Sequence, residues 1–131
     1  MSGPSTLPAA PAGLAGEITA VVAAHAFRYA HERELQDGLA QVLGPLATRH
    51  GLAVDREVVV PGAGRIDLVL GRVGVEVKVG GAPAAVGRQI RRYQAGPFDA
   101  LVLVTTRVAH LALTYPGPPP VHVVAALNGA F

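Results

Sequence analysis

The chain of 131 residues lacks cysteine, and no stretch of it is apolar enough to span a membrane. The lack of cysteine excludes a disulfide framework and any zinc site built from cysteine ligands. A membrane helix needs ~20 consecutive apolar residues, and the N-terminal segment has neither the basic region nor the apolar core of a signal peptide. We therefore expect a cytoplasmic protein without membrane contact.

Charge is scarce as well, because only 15% of the residues are charged and the formal net charge is +2. Half of the residues are hydrophobic, so the chain can bury a core and global disorder is not expected. Contact with nucleic acid would require a local basic cluster, since the chain as a whole is not strongly basic. Composition predicts a flexible tail rich in proline and alanine over residues 1–16 and a single domain over residues 17–131.

Several common catalytic patterns are missing from the sequence. The run His31-Glu32-Arg33-Glu34-Leu35 lacks the second histidine of a His-Glu-x-x-His zinc site. Gly62-Ala63-Gly64 is too short for a phosphate-binding loop, and no Gly-x-Ser-x-Gly elbow of a serine hydrolase occurs. The other histidines show no metal-ligand spacing. Zinc proteases, P-loop enzymes and serine hydrolases therefore find no support.

What the sequence does contain is a pair of alternating segments, 66–70 and 73–79, separated by Gly71-Arg72. Apolar residues occupy every second position in both segments, the period of a β-strand with one buried face. Gly71 at the first position of a two-residue loop suits a type II′ turn, so the segments are predicted to form a hairpin with Leu68 opposite Val75. The residues predicted to share its apolar face are Ile66, Leu68, Leu70, Val73, Val75, Val77 and Val79.

This register also sets Asp67 opposite Glu76, with their Cβ atoms roughly 5 Å apart, where like charges normally destabilise a sheet. A cation between the two carboxylates would remove the conflict, and Mg²⁺ is a hard ion that prefers oxygen ligands. Lys78 lies on the same face, two residues from Glu76. Two carboxylates, a metal ion and a lysine are equipped to hydrolyse phosphodiesters. The alternative is an ordinary exposed sheet face on which Lys78 offsets the two acids.

In these residues the sequence resembles the PD-(D/E)XK nuclease superfamily. The matching positions are Asp67 and Glu76-Val77-Lys78, and Ile66 stands where the family has proline. The resemblance covers about residues 31–106. It implies an α/β, restriction-endonuclease-like core in the order α-β-β-β-α-β, with a central mixed sheet of about four or five strands, an antiparallel hairpin and flanking helices.

The resemblance also implies roles for the site residues. Asp67 and Glu76 would coordinate Mg²⁺, or Mn²⁺, together with the backbone carbonyl of Val77. Lys78 would act on the attacking water or on the phosphate. Because neighbouring carboxylates favour the ammonium form of a lysine, we expect Lys78 to position groups and stabilise charge rather than act as a base.

Family members usually add a glutamate from the first helix, and this chain offers Glu32 and Glu34. The helical repeat places Glu32 within the apolar stripe of the helix predicted over residues 31–49, whereas Glu34 falls on the opposite side. The run Glu32-Arg33-Glu34-Leu35 also resembles the first helix of archaeal Holliday-junction resolvases. Glu32 is therefore predicted to bind the metal directly or through water. The alternative is a glutamate favoured there by the helix dipole.

The second predicted helix, which ends near Ala95, carries Gln89 and Tyr93 on one face. Their spacing resembles the Gln-x-x-x-Tyr motif of RecB-like nucleases, in which these residues brace the site and contact the nucleic acid. The alternative is that Tyr93 packs in the core. Three arginines surround the motif and could hold phosphates, or could form a solvated helix face. These arginines are Arg88, Arg91 and Arg92.

Together these features predict a metal-dependent deoxyribonuclease, more specifically an endonuclease, of the resolvase, repair, or mobile-element and defence type. The alternative is a binding module, for nucleic acid or for protein, that uses the same fold without cleavage. The sequence leaves open DNA versus RNA and endonuclease versus exonuclease. So small a chain has little room for a specificity domain, so a homodimer or a larger complex could select the substrate.

Overall fold

The computed structural model describes residues 7–128, which form a five-stranded β-sheet with helices on both faces and a second, two-stranded sheet. The helices are α1 (Leu14–Ala23), α2 (Glu32–Arg49), α3 (Pro83–Gln94) and α4 (Val108–Leu111). The strands are β1 (Ala26–Phe27), β2 (Asp55–Val60), β3 (Gly64–Leu70), β4 (Val73–Lys78), β5 (Ala100–Thr105), β6 (Val121–Ala125) and β7 (Leu127–Asn128).

The larger sheet has the strand order β2-β3-β4-β5-β6. Strands β2, β3 and β4 form an antiparallel meander, whereas β4, β5 and β6 run parallel. Helices α1 and α2 pack on one face in a first hydrophobic cluster, and α3 packs on the other face in a second cluster. The prediction of an α/β fold with a mixed sheet, an antiparallel hairpin and flanking helices is confirmed, and the elements from α2 to β5 follow the predicted order.

The β3–β4 hairpin has the predicted register. Leu70 pairs with Val73 and Leu68 pairs with Val75. Gly71 has a φ of 57°, a left-handed conformation that glycine adopts without steric cost. The two-residue loop therefore fixes which residues face each other on the two strands.

Strand β5 is the centre of the parallel part of the sheet, and all six of its residues are buried. Burial of every residue is typical of a strand that is covered on both faces of the sheet, and the continuous apolar run 100–105 fits that position. Because β4 and β5 are parallel, their carboxyl ends lie at the same edge of the sheet. Lys78 and Thr105 are neighbours at that edge.

The N-terminal end of the ordered fold lies earlier than predicted. Residues 1–6 of the predicted tail lie outside the described residues, but α1 begins at Leu14, inside the range 1–16. Leu14, Ile18 and Val22 are buried against α2 and the sheet, because their spacing of four residues places them on one helical stripe. The predicted tail is therefore too long by at least the first turn of α1.

Three short elements were not predicted. Strands β1 and β7 pair in parallel over two residues each, and α4 follows β5 as a single helical turn. Elements this short carry no periodic pattern. Within residues 7–128, no helix combines the length and apolar character needed to cross a bilayer.

Candidate functional site

The sheet opens between β3 and β4 at the predicted acidic residues. The ladder between these strands ends at the pair Leu68–Val75. Beyond that pair, β3 stays hydrogen-bonded to β2 only, and β4 stays hydrogen-bonded to β5 only. Asp67 and Glu76 are the first residues on either side of this opening, so the fold brings the two predicted carboxylates together where the strands separate.

The two carboxylates take the place of the missing ladder bonds. The backbone N–H of Asp67 donates to Oε1 of Glu76 at 3.3 Å, and the N–H of Val77 donates to Oδ2 of Asp67 at 2.8 Å. Each acid therefore satisfies a backbone donor that would otherwise be left unpaired at a partly buried position. Val77 thus contributes its N–H to the arrangement, whereas metal binding by its carbonyl stays a prediction.

The crowding of acids changes their protonation. The side chain of Glu76 is only 4% exposed, and burial, with the charge of Asp67 as the second cause, raises the pKa of Glu76 to about 8. Burial, with the charge of Glu32 as a further cause, also raises the pKa of Asp67. Two carboxylates that resist ionising together form a site whose charged state calls for a cation.

Lys78 supplies one cation to this site. Its Nζ lies 3.2 Å from Oε2 of Glu76, and its side chain is 21% exposed, so the ammonium group joins the buried acid to solvent. The end of β4 is also hydrogen-bonded to the residue after β5, because the N–H of Thr106 donates to the carbonyl of Lys78 at 3.1 Å. The predicted grouping of Asp67, Glu76 and Lys78 is therefore present in the structure.

Helix α2 adds Glu32 and a residue that sequence reasoning missed, Gln36. The Gln36 amide donates to Oδ1 of Asp67 at 3.0 Å and to Oε2 of Glu32 at 3.3 Å. Oε1 of Glu32 also accepts from the N–H of Val79 at 3.5 Å. Glu34 turns away and accepts from the N–H of Ala30 at the exposed start of the helix. The structure therefore places Glu32, and not Glu34, beside Asp67.

The sequence indicates the helix face on which Gln36 lies, although not its contact with Asp67. Gln36 lies four residues after Glu32, so the two share a helix face, and the same periodicity puts it next to the buried leucines. A pattern of acidic residues, which marks a candidate metal site, does not include an amide. In the structure Gln36 is 9% exposed and links two acids from different elements.

Strands β2 and β3 are distorted at the position of Asp67. Glu57 lies between the ladder pairs Arg56–Leu68 and Val58–Ile66, opposite Asp67, and has a φ of 52°. Such a conformation is uncommon for a residue with a side chain and stores local strain.

At this distortion, the prediction that Ile66 shares a face with Leu68 and Leu70 is wrong. Ile66 packs in the second hydrophobic cluster, whereas Leu68 and Leu70 pack in the first. The predicted single apolar face of residues 66, 68 and 70 is therefore wrong for Ile66. A change of face at Asp67 is local backbone geometry that alternation of residue types does not encode.

Helix α3 braces β3 close to the site. Tyr93 is fully buried, and its hydroxyl donates to the carbonyl of Arg65 at 2.8 Å, two residues before Asp67. The Gln89 amide donates to the same hydroxyl at 3.2 Å. Burial, with the charge of Glu76 as the next cause, raises the pKa of Tyr93 to about 12, so the phenol keeps its proton. Tyr93 is thus a core residue that braces the strand, and full burial leaves it no surface for the predicted contact with nucleic acid.

The predicted arginine cluster on α3 is exposed to solvent. Within residues 7–128, Arg88, Arg91 and Arg92 form no ion pair, although Arg92 lies close enough to Tyr93 for its charge to favour the phenolate. Most other arginines of the described chain are paired with acids. These paired residues are Arg33, Arg49, Arg56, Arg65 and Arg72.

Carboxylate oxygens suit Mg²⁺ and Mn²⁺, whereas Zn²⁺, Cu²⁺ and Ni²⁺ prefer imidazole or thiolate ligands. In the described part of the chain, no three histidine, cysteine, aspartate or glutamate side chains are grouped so that they could hold a metal ion. Mg²⁺, however, is commonly bound through one or two carboxylates and retains several waters. Asp67 and Glu76 supply such a pair, and Glu32 lies one hydrogen-bonded amide away.

Comparison of the chain with protein-family models, curated proteins and solved structures finds no significant match. The resemblance to the nuclease superfamily therefore rests on the residues themselves, above all Asp67, Glu76 and Lys78. The function has to be argued from the geometry of these groups.

Proposed function

We propose that this chain is a divalent-metal-dependent nuclease that hydrolyses phosphodiester bonds in DNA, built on a restriction-endonuclease-like core. The observation that carries the proposal is the pairing of Asp67 and Glu76 at the opening between two strands, with Lys78 3.2 Å from Glu76. Two acids that share so little space favour a cation, and an adjacent ammonium group favours an anionic substrate.

Asp67 and Glu76 would hold Mg²⁺ or Mn²⁺, with Glu32 and the carbonyl of Val77 completing the set directly or through water. A bound divalent cation neutralises phosphate charge and makes a bound water more acidic. Gln36 keeps the carboxylates of Glu32 and Asp67 oriented towards the same point. The half-exposed side of this group provides access for substrate, because Glu32, Asp67 and Lys78 are only partly buried.

Lys78 serves as the group that recognises the scissile phosphate. Its ammonium can exchange the Glu76 oxygen for a phosphate oxygen and so stabilise the negative charge that grows during attack by water. The attacking water forms the new P–O bond and gives its proton to solvent or to a neighbouring carboxylate. The P–O bond to the leaving sugar oxygen breaks, and that oxygen takes a proton from solvent. Because the end of β4 is hydrogen-bonded to Thr106, the lysine acts from a fixed strand rather than from a loop.

Helix α3 supplies the surface that contacts the DNA backbone. Its three exposed arginines have no acidic partner within residues 7–128, so phosphate binding would break no existing ion pair. Arginine donates paired hydrogen bonds to phosphate oxygens and fixes register without reading sequence. Tyr93 and Gln89 tie this helix to β3, which links the DNA surface to Asp67.

The test is cleavage of supercoiled plasmid, linear duplex, single-stranded DNA, a four-way junction and RNA in Mg²⁺, Mn²⁺ or EDTA. Asp67→Asn, Glu76→Gln and Lys78→Met preserve side-chain size, and each is expected to lower the cleavage rate at least about 100-fold. Glu32→Gln should also lower it, whereas Glu34→Gln, its neighbour on the exposed side, should cut like the wild type.

Cutting that persists in EDTA, or that survives all of these substitutions, contradicts the proposal. DNA binding without cutting of any substrate would instead identify a non-catalytic binding module. The RNA arm distinguishes the two nucleic acids, because the site geometry itself is compatible with either phosphodiester.

A further inference from the structure

His110 is a buried histidine on α4 whose two ring nitrogens are both hydrogen-bonded. It is fully buried, its Nδ1 lies 2.6 Å from Oγ1 of Thr105, and its Nε2 lies 3.0 Å from the carbonyl oxygen of Gly81. These contacts connect the end of β5 with the segment that follows β4. His110 therefore links β5 to the segment after β4, at the edge of the sheet where Lys78 lies.

The hydrogen-bond partners determine where the protons lie. The Gly81 carbonyl can only accept, so Nε2 of His110 must carry a proton. Oγ1 of Thr105 accepts from the N–H of Arg107 at 3.1 Å and shares a second hydrogen bond with Nδ1 of His110. The result is one hydrogen-bonded chain from Arg107 through Thr105 and His110 to Gly81, in which Nε2 of His110 donates to Gly81.

The segment that receives this bond is short and intrinsically loose. Gly80 and Gly81 have φ values of 119° and 96°, conformations open to glycine and rarely adopted by other residues. Glycine also loses more backbone freedom on folding than any other residue. The hydrogen bond from the buried ring of His110 restrains Gly81, which lies three residues after Lys78.

We infer that His110 is a positioning residue for the proposed nuclease reaction, an inference that rests on the proposed function. By holding the carbonyl of Gly81, it fixes the path of the chain from Lys78 to α3. On that path lies the N–H of Val79, which donates to Oε1 of Glu32 at 3.5 Å. His110 therefore sets the relative positions of Lys78 and Glu32 without touching the substrate.

Loss of the hydrogen bond between His110 and Gly81 should lower the rate of cleavage and leave DNA binding unchanged. Helix α3 is anchored independently by Val86, Ile90 and Tyr93, which are buried in the second hydrophobic cluster. The arginines on its outer face therefore stay in place when Gly81 is released. A looser segment between Lys78 and α3 should lower kcat and leave KM for DNA largely unchanged.

Two substitutions at His110 distinguish its hydrogen bond to Gly81 from its hydrogen bond to Thr105. His110→Gln places an amide N–H near the position of Nε2 and can still reach Gly81, whereas His110→Asn matches Nδ1 only and loses that reach. We expect His110→Asn to lower kcat by about 10- to 100-fold with KM within about twofold of the wild type. His110→Gln should retain most of kcat.

If the wild type cuts DNA and both the Asn and the Gln variant keep its kcat, this inference alone is overturned. Equal losses of kcat in both variants, or a change confined to KM, overturn it as well. A wild type that cuts nothing overturns the proposed function and this inference with it. Nitrogen NMR of the histidine rings tests the network without reference to activity or to a variant's folding. A proton on Nε2 is expected for His110, and a ring without a proton on Nε2 overturns the inference.

Discussion

The carboxylates of Asp67 and Glu76 link strands β3 and β4. The N–H of Asp67 donates to Oε1 of Glu76, and the N–H of Val77 donates to Oδ2 of Asp67. The acids are therefore part of the sheet as well as of the site. Their negative charges oppose this arrangement, since a carboxylate beside another carboxylate in a poorly hydrated position resists ionisation. We therefore expect the stability of the fold at this point to depend on pH and on cations.

The first prediction concerns Glu76 and pH. In metal-free protein the pKa of Glu76 is about 8, above its ordinary value of 4.5, so the folded state binds the proton more tightly than the unfolded state. The stabilisation is complete below the unfolded pKa and is lost as the pH rises through the folded pKa. In EDTA, Tm should fall between about pH 5 and about pH 8, and Glu76→Gln should flatten this decline.

Thermal denaturation across that pH range measures the effect, and added Mg²⁺ should raise the Tm of the wild type most at the alkaline end. Glu34→Gln is the matched control, because it removes an exposed carboxylate from the start of α2. An unchanged pH slope in Glu76→Gln contradicts the prediction.

The second prediction concerns Gly74 on β4. A Cβ there would lie 2.6 Å from Cδ1 of Ile66, 3.0 Å from Leu101 and 3.2 Å from Phe98, all within the second cluster. Gly74→Ala should therefore overpack the core and destabilise the protein by about 1–3 kcal/mol.

Gly16→Ala is the control for this substitution, because it adds the same methyl group within α1 with nothing within 4 Å. It should stabilise the helix by about 0.5–1 kcal/mol. Chemical denaturation of both variants gives the two free energies of unfolding. Equal effects of the two alanines would show that β4 can accommodate a side chain.

The third prediction concerns the strained residue opposite Asp67. Glu57 has a φ of 52°, a conformation that asparagine tolerates and a β-branched residue does not. Both Glu57→Asn and Glu57→Val remove the ion pairs to Arg33 and Arg65, so the difference between them reports the backbone. Glu57→Val should be the less stable by about 1–3 kcal/mol in denaturant unfolding. If both unfold at the same denaturant concentration, the strain is absent.

The fourth prediction concerns salt and the α3 arginines. Replacing Arg88, Arg91 and Arg92 with glutamine should weaken DNA binding and reduce the slope of log Kd against log salt by about 2 to 3, because fewer counterions are released. Fluorescence anisotropy at several salt concentrations gives this slope. Binding should weaken to a similar extent for every DNA sequence, since phosphate contacts do not read bases.

A second triple variant is the control for the arginine prediction. It replaces three arginines that are paired with acids and should keep the wild-type salt slope. These arginines are Arg33, Arg49 and Arg72. A matching loss in both triple variants would assign the DNA contact to overall charge and not to α3.

The hairpin and its acids could be predicted because their pattern is local. Alternation fixes a strand's faces, and Gly71 fixes the loop, so the pairing of Leu68 with Val75 follows from a few neighbouring residues. Helical phase likewise separates Glu32 from Glu34, because the buried leucines of α2 define its inner side.

The remaining features depend on contacts between distant segments. Leu14 is buried only because α1 packs on the sheet, and its alanine- and proline-rich surroundings indicate a tail. The change of face between Ile66 and Leu68 arises from the distortion opposite Glu57. Gln36 becomes recognisable once Asp67 is known to lie beside α2, and no local rule brings those two residues together.

The early end of the β3–β4 ladder has a consequence for biosynthesis. Beyond Val75, β4 has β5 as its neighbouring strand, and β5 follows it in the chain by more than twenty residues. Until Thr105 has left the ribosome, Glu76 and Lys78 have no ladder partner, because within the described residues β3 is hydrogen-bonded to this part of β4 only through the carboxylates of Asp67 and Glu76. A nascent or truncated chain can therefore form the hairpin turn and still lack an assembled acidic centre, so the proposed cleavage of DNA would require a chain that includes β5.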